Sequence, residues 1–280
     1  MTGQVRAGGH VGLAAAGLGL GLVGCGGGLP LLHPATVLPE GEVRAEAGLS
    51  ATVAVGDLSN AINAAQLDSA ASGGPPTTPG SDPTYARGAL VLASVGPGLA
   101  PIAGARVGIG WQSEGGLVYT GRSVRADIRR SFTLGEGWAL SLEVAGSSAL
   151  YGRQSGGPLY NVSLGQLHGW GADVPLLVGY ESSGGLYQLW FGPRGGWEHV
   201  DISDVTTPPN MQALNMQPIG LSATRFWGGG VLGFAIGFRH LHVAMELDVA
   251  YVTISGNYNA TYVTVGGLSL APAAALWWDF

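Results

Sequence analysis

Between Ser123 and Ser131 the chain alternates with a period of two. Ser123, Arg125, Asp127, Arg129 and Ser131 are polar, and Val124, Ala126 and Ile128 between them are apolar. After the turn sequence Leu134-Gly135-Glu136-Gly137 the alternation resumes, with Trp138, Leu140, Leu142 and Val144 on one face and Ser141, Glu143, Ala145 and Ser147 on the other. Period two places successive side chains on opposite faces of extended backbone. The stretch from Gly115 to Tyr151 therefore reads as a hairpin of long strands with one apolar and one polar face. Soluble strands usually run about five or six residues. A tilted strand that crosses a bilayer takes about nine to eleven, with lipid against the apolar face and a polar lumen against the other.

The same pattern recurs along the chain. A first strand runs from Glu42, with Glu42, Arg44, Glu46, Ser50 and Thr52 alternating against Val43, Ala45, Leu49, Ala51 and Val53. Further strands are expected at about 84–95, 103–113, 115–132, 137–152, 167–182, 184–201, 222–239, 240–256 and 259–280, ten in all. On one strand Phe226, Leu232, Phe234, Ile236 and Phe238 form an outward apolar set. A short helix is expected after Asp57, within the long connection 57–83. The connections 153–166 and 202–221 are also long, and all three fall on one side; those on the other side are short. The fold class is all-β: one antiparallel up-and-down transmembrane barrel over 42–280, with no repeat and no second domain. A soluble β-sandwich carried on a lipid anchor is the competing architecture.

Composition narrows the classes. Only 11% of the 280 residues are charged, Gly accounts for 50, and the net charge is −6. Mean hydropathy is +0.27, yet no apolar run is long enough for a spanning helix, so a membrane protein here is built from strands. All 12 basic residues are Arg and none forms a run along which a phosphate backbone could lie, so nucleic acid is not an expected partner. One cysteine makes no disulfide, no Cys/His spacing suggests a metal, and no cofactor is expected.

Residues 1–24 carry one charge, Arg6, and an apolar run from Val11 to Gly24, which reads as a secretion signal. The end of this segment, Leu22-Val23-Gly24-Cys25, resembles the lipobox of bacterial lipoproteins, which implies lipidation at Cys25. Residues 25–41, rich in Gly and Pro, read as a flexible tether. Gly19 to Gly24 satisfies a dinucleotide-binding expression, but no strand precedes it and no βαβ unit follows. The last strand carries Tyr262, Thr264, Gly266, Leu268, Leu270, Pro272, Ala274, Leu276, Trp278 and Phe280 on one face. It resembles the C-terminal signature of bacterial outer-membrane β-barrels, whose terminal aromatic is read by the barrel-insertion machinery. That resemblance implies the bacterial outer membrane as location, its lipid as a partner, and recognition through Phe280. Pro272 departs from it and predicts a kink, bulge or strand boundary.

Strand parity places Glu42, Arg44, Glu46, Arg106, Arg125, Asp127, Arg129, Glu143, Asp173, Arg194, Glu198, Glu246 and Asp248 in the lumen. Paired guanidiniums and carboxylates would fill a narrow barrel as a polar plug. The expected role is structural or surface interaction through the long loops, with the external ligand unnamed; a narrow porin-like pore or transporter for small solutes is the alternative. A third reading is a surface hydrolase like the omptins, with Glu198, His199, Asp201 and Asp204 as its acid–base cluster. Parity sends Glu198 and His199 to opposite faces, and His240 and His242 accompany no Gly-x-Ser-x-Gly sequence, so no enzyme is expected and no catalytic residue is assigned.

Overall fold

The structure is a computed structural model describing residues 30–71, 83–150, 159, 167–202 and 220–280. Cys25 and the signal-like segment lie outside the described residues. Ten antiparallel strands close into a barrel. In chain order they are β1 (Val43–Val55), β2 (Gly98–Gly110), β3 (Ser113–Tyr119), β4 (Ser123–Gly135), β5 (Trp138–Ala149), β6 (Leu167–Glu181), β7 (Tyr187–Ile202), β8 (Leu221–Phe238), β9 (Leu241–Tyr258) and β10 (Thr261–Asp279). Each pairs with its chain neighbours, and β1 closes on β10 with Arg44 opposite Asp279 and Val55 opposite Leu268. Two helices, α1 (Asp57–Ala71) and α2 (Pro83–Val95), interrupt the path from β1 to β2.

The expected strand number is correct, but two of its members are not. Residues 84–95 form a helix, and 115–132 is divided between β3 and β4 by the turn 120–122. The helix begins at Pro83, where the missing N–H costs nothing, and ends before Gly96 at φ +56, the left-handed position that closes helices. From Gly88 to Val95 it is buried throughout and almost wholly apolar, and its first turn carries Thr84 and the exposed Arg87, so only a weak amphipathic period betrays it. At the 120–122 turn the inward residues change from even (Glu114, Val118) to odd (Ser123, Arg125), a parity break that marks the split. Pro272 produces neither bulge nor boundary. β10 runs through it in constant register with β9, and only the pairing to β1 lapses, opposite Ala51 and Thr52.

The wall has the two faces that alternation demands. On β8, Phe226, Leu232, Phe234, Ile236 and Phe238 point outward and Val231 and Ala235 inward. From Phe226 to Phe238 the strand climbs about 30 Å along a bilayer normal, at about 3.3 Å per residue and about 40° of tilt, against an apolar band about 25 Å tall. Aromatic rings mark both edges of that band. Trp170 and Trp197, 4.4 Å apart, lie with Phe226 and Tyr251 toward one rim; Trp138, Tyr180, Tyr187 and Trp278 lie toward the other. Arg130 points outward. It sits near the second rim with its guanidinium 5.5 Å from the Phe132 ring, where a long side chain can reach the interface.

The rims differ. One carries the short turns at 111–112, 136–137, 182–186 and 239–240, and is called the turn rim; the other carries the helices and long connections and is called the loop rim. Strands β8 to β10 have 18, 18 and 19 residues, whereas β3 has 7, so the loop rim is tall on one side and low on the other. Helix α2 lies inside the tall side. Its Tyr85, Leu90 and Val91 pack against Val252, Ile254 and Tyr258 of β9. Above the aromatic ring, outward positions turn polar: His199 and Asp201 on β7, Thr224 on β8, Ser255 and Asn257 on β9, Thr264 on β10.

An Arg in place of Leu232, midway between the two aromatic edges, should lower the refolding free energy by roughly 2 to 4 kcal/mol, while Thr264→Arg beyond the band should cost about 1 or less. Urea titrations of both variants refolded into lipid vesicles measure the difference, and equal costs would contradict a hydrocarbon-facing wall.

Candidate functional site

The lumen is filled from three directions. Side chains of the wall form its middle, α2 enters from the loop rim, and residues 30–38 enter from the turn rim. Four arginines, Arg106, Arg125, Arg129 and Arg194, face seven carboxylates, Glu46, Glu114, Asp127, Glu143, Asp173, Glu246 and Asp248, all of them buried. Ion pairs link the arginines into one chain. Arg129 Nη2 donates to Glu114 Oε2 at 3.0 Å, and Arg106 joins Glu114 to Asp127. Arg125 donates to Asp127 at 3.0 Å, to Glu143, and through Nε to Asp173 at 3.1 Å. Arg194 donates to Asp173 at 2.9 Å and stands 3.8 Å from Asp248. Gly116 makes the crossing possible, because a Cβ there would stand 2.8 Å from Arg106 Cζ. Glu46 is the exception in this layer: neither of its oxygens has a hydrogen-bond partner among the described residues.

At the loop end of this layer, Arg122 and Arg225 hold the C-terminus of α2. Arg122 donates to the carbonyls of Ala93 and Ser94 at 3.0 and 3.1 Å, and Arg225 to that of Ser94 at 2.7 Å. The last carbonyls of a helix lack intrahelical donors and carry its negative end, so two guanidiniums satisfy both needs. Glu198 balances them, paired to Arg122 at 2.9 Å and to Arg225. A small cavity of about 20 Å³ remains beside them, lined by Arg125, Asp173 and Trp227 among others.

At the turn end, residues 30–38 occupy the lumen instead of hanging from it as a flexible tether. Glu246 accepts from the consecutive amides of Leu31 and Leu32 at 2.5 and 2.9 Å and from Trp190 Nε1 at 2.8 Å. Glu114 accepts from the Leu38 amide at 2.9 Å, and Arg129 donates to the carbonyls of Pro34 and Thr36. His33 lies between Arg129 Nη1 at 2.7 Å and Glu143 Oε2 at 2.9 Å. A guanidinium only donates, so His33 Nδ1 is the acceptor and Nε2 carries the proton toward Glu143. Burial pushes its pKa down to about 4; Arg129 and Arg106 act in the same direction and Glu143 opposes them.

Of the thirteen residues that parity assigned to the lumen, Glu42 is exposed at the turn rim, a correction that follows from its place before β1 begins at Val43. Arg44 lies inside but near that rim, paired with Asp279 at 2.6 Å and 4.4 Å over the Trp277 ring. The other eleven lie in the lumen as described above. Missed were Glu114, Arg122 and Arg225, along with His33. Glu114 lies in the unrecognised strand β3 and Arg122 in the turn that follows it, and His33 lies in a segment without periodicity. Arg225 could have been found, since it shares the inward parity of Val231 and Ala235 on β8.

The acid–base cluster suggested by the sequence is not assembled. Glu198 points inward to its arginines, whereas His199 points outward, 2.8 Å from Asp201 and 2.9 Å from Thr224 Oγ1. Asp204 lies outside the described residues. His242 is a lumen residue near Asp279, and His240 stacks on Trp278 at the rim.

Comparison with known proteins adds fold likeness alone. The sequence matches no protein-family model and no curated protein. Among solved structures, a major outer membrane protein from Thermus thermophilus is similar over 85% of this chain and 98% of its own, at 12% identity and a TM-score of 0.33. Neisserial surface protein A is similar over 85% of this chain and 96% of its own, at 9% identity and a TM-score of 0.30. OccK2 (OpdF) of Pseudomonas aeruginosa follows with 67% and 59% coverage, 11% identity and a TM-score of 0.22. The protein is a transmembrane β-barrel of the outer-membrane type on the strength of its own wall: an even number of antiparallel strands, an apolar exterior of bilayer height, aromatic edges and a polar interior.

Arg106→Met should destabilise the refolded barrel by roughly 3 to 5 kcal/mol, because Glu114 and Asp127 would each lose a buried cation. A urea titration checks this, and a loss below about 1 kcal/mol would mean that water, not Arg106, solvates those carboxylates.

Proposed function

We propose that the protein is a closed outer-membrane barrel that works at its outer face, in a structural or surface-interaction role, without passing solutes. The observation that carries this reading is the filled lumen. The segment 30–38, the ion-pair layer and α2 follow one another along the axis, and Arg106, Arg129 and His33 are 0 to 1% exposed. A path for hydrated ions would need this layer to part, which means separating guanidiniums from carboxylates in a site of low dielectric.

The loop rim is the candidate working surface. Long loops of such barrels face outward and short turns face the periplasm, which orients the tall wall toward the exterior. From Tyr251 to Tyr258 the wall of β9 rises about 18 Å beyond the aromatic edge. It presents hydroxyls, amides and the His199–Asp201 pair, with few charges, a composition suited to hydrogen-bonded contact with a neutral polar partner. A cavity of about 450 Å³ between α1, α2 and β10, lined by Asp57, Asn60, Arg87 and Thr264, opens on the same side.

In planar bilayers the refolded full chain should show no steady current, and a stable open channel would overturn the closed-barrel reading in favour of a narrow pore. On intact cells a tag inserted after Gly80 or Gln212 should bind antibody and one between Gly135 and Gly137 should not; the reverse would invert the orientation. We also infer acylation of Cys25 from its lipobox-like setting. Cys25→Ser should then leave an unprocessed precursor, and mass spectrometry finding an unmodified Cys25 in the mature protein would remove the anchor.

A further inference from the structure

The segment 30–38 is held in an unusual way for part of a barrel. Among the described residues it makes no ladder with any strand; the first backbone pairing of this end is Gly41 N to Gly108 O at 2.9 Å. Its polar backbone groups bond instead to side chains of the wall. Two consecutive amides fork onto the Glu246 carboxylate, a third goes to Glu114, and two carbonyls go to Arg129. Its side chains are sorted too. Leu31, Leu32 and Ala35 lie in an apolar pocket with Trp190, Val231, Ala244 and Ala273, while His33 sits between Arg129 and Glu143. Gly179 leaves the space that Ala35 takes, since a Cβ on it would stand 2.8 Å from the Ala35 Cβ.

We propose that the periplasmic half of the lumen is a peptide-binding site, occupied in cis by residues 31–38, that accepts in trans a peptide of the same chemistry and the same turned backbone: two apolar residues with free amides, the second in the left-handed conformation of Leu32 (φ 54), then an imidazole. Fixed side chains that satisfy backbone donors and acceptors, with apolar and imidazole subsites beside them, supply what a turned peptide needs where no sheet edge is available. The seat is also separable from the wall. Withdrawal of the segment through the turn rim breaks none of the strand ladders, and cavities of about 590 and 200 Å³ flank it there. Thr36 and Val37 line both, so the segment is a partition between two open spaces at 36–37, while Leu31 to Ala35 are buried in the lumen. The buried carboxylates explain why the seat is not left empty, because among the described residues Glu246 keeps only the Trp190 indole as a donor once the amides leave. This proposal stands apart from the surface role, since a closed barrel that ignores peptides and a peptide-binding barrel that conducts are both separable outcomes.

The test uses the full chain refolded in detergent and a fluorescent synthetic peptide of residues 30–39. Wild-type protein, whose site is filled in cis at high effective concentration, should bind little peptide. A Leu31→Asp, Leu32→Asp double variant, which keeps the wall intact and evicts its own segment, should bind the peptide saturably by fluorescence anisotropy. Adding Glu246→Leu to that variant, or His33→Ala to the peptide, should weaken binding at least tenfold. An evicted variant that retains the heat-modifiable mobility of a folded barrel yet binds no peptide, or binds equally without Glu246, would overturn the proposal. If the double variant does not refold, wild-type chain is refolded and then cut at a protease site inserted after Pro39. Exchange of its segment for labelled peptide would support the site, and failure to exchange would overturn it.

Discussion

Four guanidiniums buried in a closed sheet are the interaction on which the rest of this structure depends. A barrel of ten strands encloses more space than apolar side chains from its wall would fill, and alternation obliges every second residue to face that space. Here many of those residues are charged. A buried charge is tolerated only when paired and hydrogen-bonded, so Arg106, Arg125, Arg129 and Arg194 must each reach acceptors on other strands or on the inserted segment. Arginine suits the task because its planar fork presents five donors at fixed angles. The absence of lysine from the whole chain fits an interior that selects for such forks.

The pairing is uneven around the circumference, and this unevenness makes room for the two inserted segments. On β3 to β6 the inward residues are large and ionic, from Glu114 and Arg125 to Glu143 and Asp173. On β8 to β10 many are Ala or Gly: Gly233, Ala235, Ala244, Ala273 and Ala275. The small wall leaves a hollow. Leu31 and Leu32 fill its lower part against Trp190 and Trp277, and α2 fills its upper part against Val252 and Ile254. Each insert in turn supplies partners to charged residues on both sides of the wall, amides for Glu246 and Glu114 from below and helix carbonyls for Arg122 and Arg225 from above.

Much of the wall could be read from residues alone, because period two is a strict consequence of extended backbone and the membrane enforces it on both faces. The outward set on β8 and the inward Arg125, Asp127 and Arg129 on β4 follow directly from it. What escaped lies where that rule does not operate. Helix α2 is buried and almost wholly apolar from Gly88 to Val95, so its residues there alternate with nothing and resemble a buried strand. Strand β3 is short and glycine-rich, and its turn carries Thr120-Gly121-Arg122, where the only strong turn signal is one Gly at φ +88. The segment 30–41 has the Gly and Pro content of a linker. Its order comes from partners such as Glu246, more than two hundred residues away in sequence, and no local pattern reports contacts of that kind.

The same division explains why the site is harder to read than the fold. Parity says that a residue points inward, but not what it meets there. Glu46 and Glu246 have the same parity and burial, yet among the described residues Glu246 accepts three hydrogen bonds and Glu46 none. Most of the difference is supplied by a segment from outside the barrel wall, not by either strand. A lumen completed by a separable piece of its own chain has two energetic states built into it, one in which the carboxylates are satisfied by backbone amides and one in which they face water or another donor. The wall ladders are indifferent to which state prevails, since none of their hydrogen bonds involves residues 31–38. A change of occupancy at the turn rim would therefore leave the wall ladders unbroken, and α2 is held by a different set of arginines, Arg122 and Arg225, at the opposite end.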